Sequence, residues 1–502
     1  MSVGFRYLLL GGLCLYVCVV LSFLSILQQN TDTSSDFKLK YPRSERTSYT
    51  EDITPFQREN RIARLNNKNR FAESDLNANR FTGSNFSKGT LVIGKSVEES
   101  INALNTNFLP LFDNHFVYSA YVDKRKKTEY VRIIAIGPSG KGNKRTGFFC
   151  HFGESVKRSS DKVFSTELIY YETCESHLMV YSFYIMSCPI PDNVLEHYLT
   201  LGQSNITITR SNLSTRPGIE LPVLNNEVGK TTSDDVRFGL CIPPLFGNIN
   251  VLRFVEFIEL SRLLGSEHFT FYAHELSHGV KSVLHFYEKA GIATVLPWKL
   301  PVQNIWYKGQ SVAIGDCLFR NMYRYNFVAF NDIDEFILPH QGETWEDMLE
   351  YIHLNSTITA EDTAVYRFKS SFFTPTKERR NSTHFPKSYK LFISLNNTYR
   401  TVKVSNIRTK LLVNPTRVFE IGIHHLSKPI DDKFVTLNVD PQVALLHHYR
   451  KCDPSYDMSC GAFKEDTTAL KYTHSLISHT EHVLKEIQHL DKTFNTSGLN
   501  KL

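Results

Sequence analysis

From residue 236 onward the hydrophobic pattern of this chain switches repeatedly between a strand period and a helix period. Residues 236–242 form a short apolar run closed by Pro243-Pro244. Residues 251–264 carry Phe254, Ile258, Leu260 and Leu264 at helical spacing, and Gly265 supplies a stop. A strand at 268–272 follows, then a helix at 280–290 stopped by Gly291, a strand at 292–297 and a helix at 310–323. Beyond these the pattern predicts a helix at 344–354, strands at 363–373, 391–410 and 418–424, and a terminal helix at 468–487. Such alternation implies an α/β class, a mostly parallel sheet covered on both faces. Ligands of these sheets bind beyond the carboxyl ends of the strands.

One strand end is chemically unusual. In residues 325–340 an aromatic run ends at Phe330, three acids follow at Asp332, Asp334 and Glu335, and a second apolar run closes at Pro339. Carboxylates are depleted in strands and are almost never buried unpaired. Acids between two strand-like runs therefore need a partner, and a divalent cation takes carboxylate oxygen readily. The alternative is a solvated turn.

Other residues compete for the chemistry. His274-Glu275-Leu276-Ser277-His278 matches the zinc-peptidase pattern, in which two histidines on one helical face bind zinc and the glutamate activates water. Against it, the match straddles a strand–helix junction, no carboxylate occurs between Glu288 and Asp316, and Lys281 stands where an extended motif needs glycine. An aspartyl-phosphatase reading of the acids fails because Phe336 occupies the place of a required threonine. Two late histidine pairs, His424-His425 and His447-His448, each follow an apolar run and offer a metal ligand; otherwise they are ordinary core or surface histidines. Arg450 is a candidate for a phosphate, or else for a surface ion pair.

The preceding half reads differently. Residues 7–27 carry no charge and would span roughly 30 Å as a helix, enough for a bilayer core. Residues 1–6 then form a cytoplasmic tail, 7–27 a transmembrane signal anchor and 28–89 a polar stem. Residues 90–235 read as a β-rich domain, with strands at 117–121, 130–136, 147–151, 162–171 and 178–187, and a catalytic domain occupies 236–490. Asn-x-Ser/Thr sequons at Asn85, Asn205, Asn212, Asn355, Asn381, Asn396 and Asn495 all lie beyond the span and put the body in a lumenal or extracellular space. The cysteines beyond the span (Cys150, Cys174, Cys188, Cys241, Cys317, Cys452 and Cys460) are odd in number, and Cys452 with Cys460 is the one local pairing that suggests itself. The net charge of +6 over 502 residues is small and scattered, which gives no footprint for nucleic acid.

The catalytic half resembles glycosyltransferase family 92. The resemblance rests on Phe238-Gly239-Leu240-Cys241-Ile242-Pro243-Pro244, on Phe257-Ile258-Glu259-Leu260 with Leu264-Gly265, and on His268-Phe269 with Tyr272. Val283-Leu284, Tyr287, Gly291, Trp298-Lys299-Leu300-Pro301, Ala313 and Asp316-Cys317-Leu318 continue it. It ends with the acids, Gly422-Ile423-His424 and His447-His448-Tyr449-Arg450. What it implies is a GT-A-like (Rossmann-like) catalytic fold in a single-pass type II Golgi membrane protein. The implied reaction is an inverting transfer of galactose from UDP-galactose in β linkage, β1,4 by expectation, to a terminal galactose or fucose of a glycoprotein N-glycan. Glycolipid acceptors and a homodimer are compatible with it. The implied cofactor is Mn2+ or another divalent cation, held by Asp334, with Asp332 on ribose or on the metal through water, and His424 or alternatively His448 completing the shell. Arg450 would meet the diphosphate. No motif marks the base, for which Glu346, Asp347, Glu361 and Asp362 are candidates. The competing functions are the zinc peptidase and a glycan-binding protein without activity.

Overall fold

A computed structural model describes residues 108–140, 147–152, 164–192, 204–212, 218–224, 236–374, 390–454 and 460–494. The expected membrane span, the stem, and the sequons at Asn85, Asn381 and Asn495 lie outside them. Among the described residues no helix is long and apolar enough to cross a membrane.

The described chain builds two nine-stranded sheets. The first uses β1 (Leu109–Pro110), β2 (Phe116–Asp123), β3 (Tyr130–Pro138), β4 (Phe149–Phe152), β5 (Phe164–Glu167), β6 (Ile169–Glu172), β7 (Tyr181–Pro189), β8 (Ser204–Thr209) and β9 (Ile219–Leu224). Its pairing is antiparallel throughout except between β2 and β9. The last two strands escape the sequence pattern because they are short and flanked by polar loops.

The second sheet carries the predicted alternation. In chain order come β10 (Phe238–Cys241), α1 (Val251–Leu263), β11 (Ser266–Ala273), α2 (His278–Lys289), β12 (Ala293–Pro297), α3 (Gln310–Arg320), β13 (Phe327–Phe330), β14 (Glu335–Pro339), α4 (Trp345–Asn355) and β15 (Thr363–Phe372). Then follow α5 (Ile393–Asn396), β16 (Tyr399–Thr401), β17 (Ser405–Val413), β18 (Val418–Ile421), β19 (Leu426–Pro429), β20 (Val435–Asn438), β21 (Ala444–His448), β22 (Phe463–Glu465) and α6 (Thr473–Leu490). The strand order is β12-β11-β10-β13-β17-β15-β21-β14, with β20 beside β15; β16 with β22 and β18 with β19 form two separate two-stranded sheets. Local chemistry sets the helix ends. Asn250 Oδ1 accepts from the Arg253 amide at 3.0 Å to start α1, and Thr344 with Asp347 forms a reciprocal cap on α4.

The sheet departs from the mostly parallel expectation on one side. β12, β11, β10 and β13 are parallel, but β17 runs antiparallel between β13 and β15, and β14 runs antiparallel to β21. A short return needs no crossover helix, so periodicity alone does not announce it. Residues 391–397 also differ from the strand predicted there. Buried Glu256 of α1 accepts the Ile393 and Ser394 amides at 2.9 and 2.8 Å and the Ser394 hydroxyl at 2.6 Å. Those amides open α5, where a carboxylate is favoured. The predicted strand 418–424 ends at Ile421, which leaves His424 in a turn. The terminal helix begins as a 3-10 turn, Thr468–Tyr472.

Helices α1, α2, α4 and α6 bury their apolar faces against the second sheet in one core. Helix α3 lies on the other face, where Val312, Ala313, Cys317, Leu318 and Phe319 meet Tyr121, Ile134 and Phe183 of the first sheet in a shared core. Gly315 permits that approach: a Cβ there would enter the Phe183 ring. Disulfides join Cys150 to Cys188, Cys241 to Cys317 and Cys452 to Cys460. The last is the pairing expected from spacing. Cys174 is exposed and belongs to none of the three. Asn205, Asn212 and Asn355 are exposed, as a glycosylated asparagine must be, and Asn396 is half-buried.

Candidate active site

Parallel strands β10 and β13 end side by side at Cys241 and Phe330, and the Asn331 amide donates to the Cys241 carbonyl. The chain then turns through Asp332, Ile333 and Asp334 and returns as β14, whose first residue, Glu335, pairs with His448 at the end of β21. Lys410 of β17 lies one residue beyond Leu411, the partner of Phe330. Three carboxylates, one imidazole and one ammonium are thereby brought to the carboxyl edge of the sheet.

Their contacts divide the acids. Lys410 Nζ donates to Asp332 Oδ2 at 2.9 Å and lies 3.0 Å from Glu335 Oε2. Glu335 Oε2 also accepts the Asp332 amide at 3.0 Å, which fixes the turn. Glu335 is buried, and burial pushes its carboxyl up against the pull of Lys410. Burial also works against Asp332, but the adjacent ammonium prevails and holds it below the usual carboxylate range. The same two carboxylates overcome burial at Lys410 and raise it above an ordinary lysine.

Asp334 is turned the other way. Its Oδ2 is 3.5 Å from His448 Nε2, its carbonyl accepts the Tyr449 amide, and its side chain is 41% exposed. His448 stacks on Phe372 at 5.0 Å, and its buried Nδ1 faces Glu335 Oε1 at 3.3 Å without making a hydrogen bond. Carboxylates with one imidazole suit Mn2+ or a similar divalent cation, and the open Asp334–His448 pair fits one. Asp332, with one oxygen committed to Lys410, stands beside it.

His424 is placed differently. Its Nδ1 donates to the Thr409 carbonyl at 2.7 Å, and its Nε2 is 3.4 Å from the Arg408 guanidinium. Burial, with Lys410 and Arg408 adding to it, brings the imidazole down to about 3. It lies near Asp332, whose charge it senses, while the contact with Asp334 is made by His448. Arg450 follows Tyr449 with its amide on the His448 carbonyl at 3.0 Å.

The four carboxylates named as bases are not brought here. Asp347 caps α4, and the neighbouring Trp345 amide donates to Leu264, just before β11 begins. That is the amino edge of the parallel strands. Glu361 and Asp362 precede β15, while Phe372 at its far end pairs with His448. Along a strand that separation is roughly 30 Å. The reason is topological: a helix and a strand start on the edge opposite to the site.

The peptidase motif also comes apart. His278 begins α2, and its Nε2 meets Thr493 Oγ1 at 2.7 Å and Asp491 Oδ2 at 3.2 Å. His274 lies in the preceding loop with Nδ1 on the Trp298 carbonyl at 2.9 Å. The two histidines serve separate contacts rather than one helical face.

Two contributors were not anticipated from the sequence. Lys410 was read only as the end of a strand, although a lysine followed by Leu411-Leu412-Val413 in a sheet calls for an acidic partner. Tyr307 has φ 40° and ψ 54°, and Lys308 has φ 55°. Its ring packs 5.4 Å from Phe246, which follows β10 on the site edge. Burial raises its hydroxyl pKa, and the charges of Asp332 and Asp334 raise it further. Left-handed backbone at a bulky residue is costly and concentrates at functional sites. Trp306 beside it is stacked on His177 at 4.3 Å.

The sequence model described as glycosyltransferase family 92 matches residues 236–497. The chain is similar to beta-1,4-galactosyltransferase galt-1 of Caenorhabditis elegans, 29% identical over 380 residues, which are 73% of this chain and 79% of that protein. A shorter stretch is similar to galactan beta-1,4-galactosyltransferase GALS1 of Arabidopsis thaliana, 33% identical over 133 residues, which are 24% of this chain and 25% of that protein. The solved apo structure of the WbbM bifunctional glycosyltransferase covers 40% of this chain and 35% of its own at 10% identity, with a TM-score of 0.20, too low to inform the fold.

Proposed function

This chain belongs to glycosyltransferase family 92, and we propose that it is a GT-A-like enzyme that transfers galactose from UDP-galactose, with inversion, to a terminal galactose or fucose of glycoprotein N-glycans. A β1,4 linkage is proposed by analogy with the names of two relatives. The observation that carries the reading is the meeting of Asp332, Asp334, Glu335 and His448 at the carboxyl edge of the sheet, inside the span of the family match.

In the proposed mechanism Asp334 and His448 would hold a divalent cation, and Asp332 would support it or the ribose. The cation, when bound, neutralises the charge that develops on the departing diphosphate. Lys410 keeps Asp332 ionised and Glu335 in place, which fixes the turn that presents Asp334. Arg450 supplies a bidentate donor for phosphate. A carboxylate base removes the proton of the acceptor hydroxyl as its oxygen attacks the anomeric carbon. Glu346, Asp347, Glu361 and Asp362 are poor choices for this base, because they stand where α4 and β15 begin, at the other edge of the sheet. Three disulfides and exposed sequons support a lumenal body, and a span at residues 7–27 would anchor it as a type II Golgi protein.

The test is donor turnover by the purified full chain with Mn2+ and glycans ending in galactose or fucose. UDP-galactose is the expected donor. Asp334→Asn is expected to lower kcat by roughly 100-fold or more, the scale for loss of a group that stabilises developing charge, while His278→Ala leaves it unchanged. Zinc-dependent proteolysis lost with His278→Ala would overturn the proposal. Glycan binding without turnover of any donor would make the protein a non-catalytic binder.

A further inference from the structure

His447 and His448 are neighbours on β21, and neighbours on a strand point to opposite faces. His448 faces the acids. His447 faces away, into a second cluster with His340 and Asp466, where one ring nitrogen of each histidine and one oxygen of Asp466 lie within 4.8 Å of one another. The cross-strand register agrees: Glu335 pairs with His448, whereas Phe336 pairs with His447 and shares its side of β14 with His340.

The hydrogen bonds fix where the protons sit. His340 Nδ1 is 2.8 Å from the Pro441 carbonyl, which can only accept, so Nδ1 carries the proton. Its Nε2 then turns to Asp466 Oδ2 at 3.7 Å. His447 Nδ1 is 3.2 Å from the Tyr449 hydroxyl, which itself donates to the Ser394 carbonyl at 3.4 Å. The hydroxyl must therefore accept from Nδ1. His447 Nε2 is left without a hydrogen-bond partner on a side chain with no exposure, sandwiched against Phe373 at 4.1 Å. Asp466 Oδ1 is committed to the Thr468 amide and hydroxyl, and Oδ2 accepts from Arg400 Nε at 2.7 Å. Two imidazole nitrogens and a carboxylate oxygen thus face one another, and Arg400, which also donates to Ser371 Oγ and the Thr401 carbonyl, reaches the carboxylate through Nε. Arg400 answers the carboxylate, but the buried His447 Nε2 among these atoms has no partner.

We infer that His340, His447 and Asp466 form a zinc-binding site, separate from the site of Asp332, Asp334 and His448. Two imidazoles and one carboxylate are a zinc donor set, and carbonyl or hydroxyl partners on the second ring nitrogens are the usual outer support of such ligands. Arg400 on the liganding carboxylate plays the same part. His340 is partly exposed, and a water would supply the fourth ligand. The ion would tie the end of β14, the end of β21 and the segment after β22 into one clamp. This inference stands whether or not the galactosyltransfer proposal holds.

The experiment is elemental analysis of the purified full chain after desalting, for wild type, Asp334→Asn, His340→Gln and Asp466→Asn, with melting curves taken with and without a chelator. Wild type and Asp334→Asn are expected to keep about one zinc per chain, and the other two to keep under about a tenth of that, because removing one ligand of three weakens binding sharply. The chelator should lower the Tm of wild type to that of His340→Gln and leave His340→Gln unmoved. Wild type without zinc overturns the inference and leaves a proton on His340 as the bridge to Asp466. Zinc lost with Asp334→Asn but kept with His340→Gln overturns it too, since the ion then belongs to the acid site.

Discussion

Lys410 has a side chain only 3% exposed, and its ammonium is tolerated because Asp332 and Glu335 face it. Removing it would leave Glu335 buried and without its charge partner. Lys410→Met is expected to destabilise the fold by about 3–5 kcal/mol, the usual cost of breaking a buried pair from one side, read from chemical unfolding; a loss below about 1 kcal/mol, as for an exposed pair, would contradict this account. Glu175 is a second residue whose surroundings make a stability claim. It is largely but not fully buried, accepts the Ile423 amide at 3.1 Å, and is faced by Glu420 and by His425 at 3.7 Å. Burial, helped by Glu420, pushes its carboxyl up to about 7. The folded chain then holds this proton over a range where the unfolded chain has released it, so stability falls as pH rises from about 4.5 to 7. Glu175→Gln should remove up to about 3 kcal/mol of that fall. Urea unfolding at pH 5 and pH 7.5 checks it, and equal slopes for wild type and variant would refute it. Of these residues only the acids of the strand end announced themselves in the sequence. Asp332 and Asp334 stand out because carboxylates between apolar runs are rare, whereas Glu175 and Lys410 take their meaning from partners hundreds or tens of positions away.

At the scale of elements, legibility follows the period of the pattern. Helices α1, α2, α3 and α4 and strands β10 to β13 fall within a few residues of where periodicity puts them, because their apolar residues are packed into one or the other of the two cores that flank the sheet. The pattern fails where an element is held by a single polar partner. Helix α5 forms over residues that read as a strand because Glu256 lies under its first amides. The base candidates lie away from Asp332 and Asp334 for a related reason. Acids at the start of an element are easy to find, but which edge of the sheet that start occupies depends on strand direction, and the antiparallel returns of β14 and β17 hide that direction. The Cys241–Cys317 bridge, which fastens the end of β10 to α3 beside the site, was likewise beyond spacing alone.

The whole molecule turns on Asp316. This buried acid of α3 accepts from Ser119 at 2.5 Å and Tyr121 at 2.6 Å in the first sheet and from Tyr272 at 2.6 Å in the second, and it pairs with Arg320 at 3.0 Å. One carboxylate therefore fastens both sheets to the helix between them. Asp316→Asn leaves Arg320 buried without its charge partner and is expected to cost about 3–5 kcal/mol, measured as a shift of the guanidinium midpoint. A shift no larger than that of an exposed substitution would mean the sheets are held by apolar contact alone.

The side-by-side placement of His447 and His448 has one more consequence, for sequence drift. Their division of labour depends on parity: inserting or deleting a single residue within β21 would exchange the two rings between the faces of the sheet, while leaving both histidines present. Substitution is only one way to lose these sites. A length change in β21 would lose both at once, so the spacing of this strand is under as much constraint as its composition.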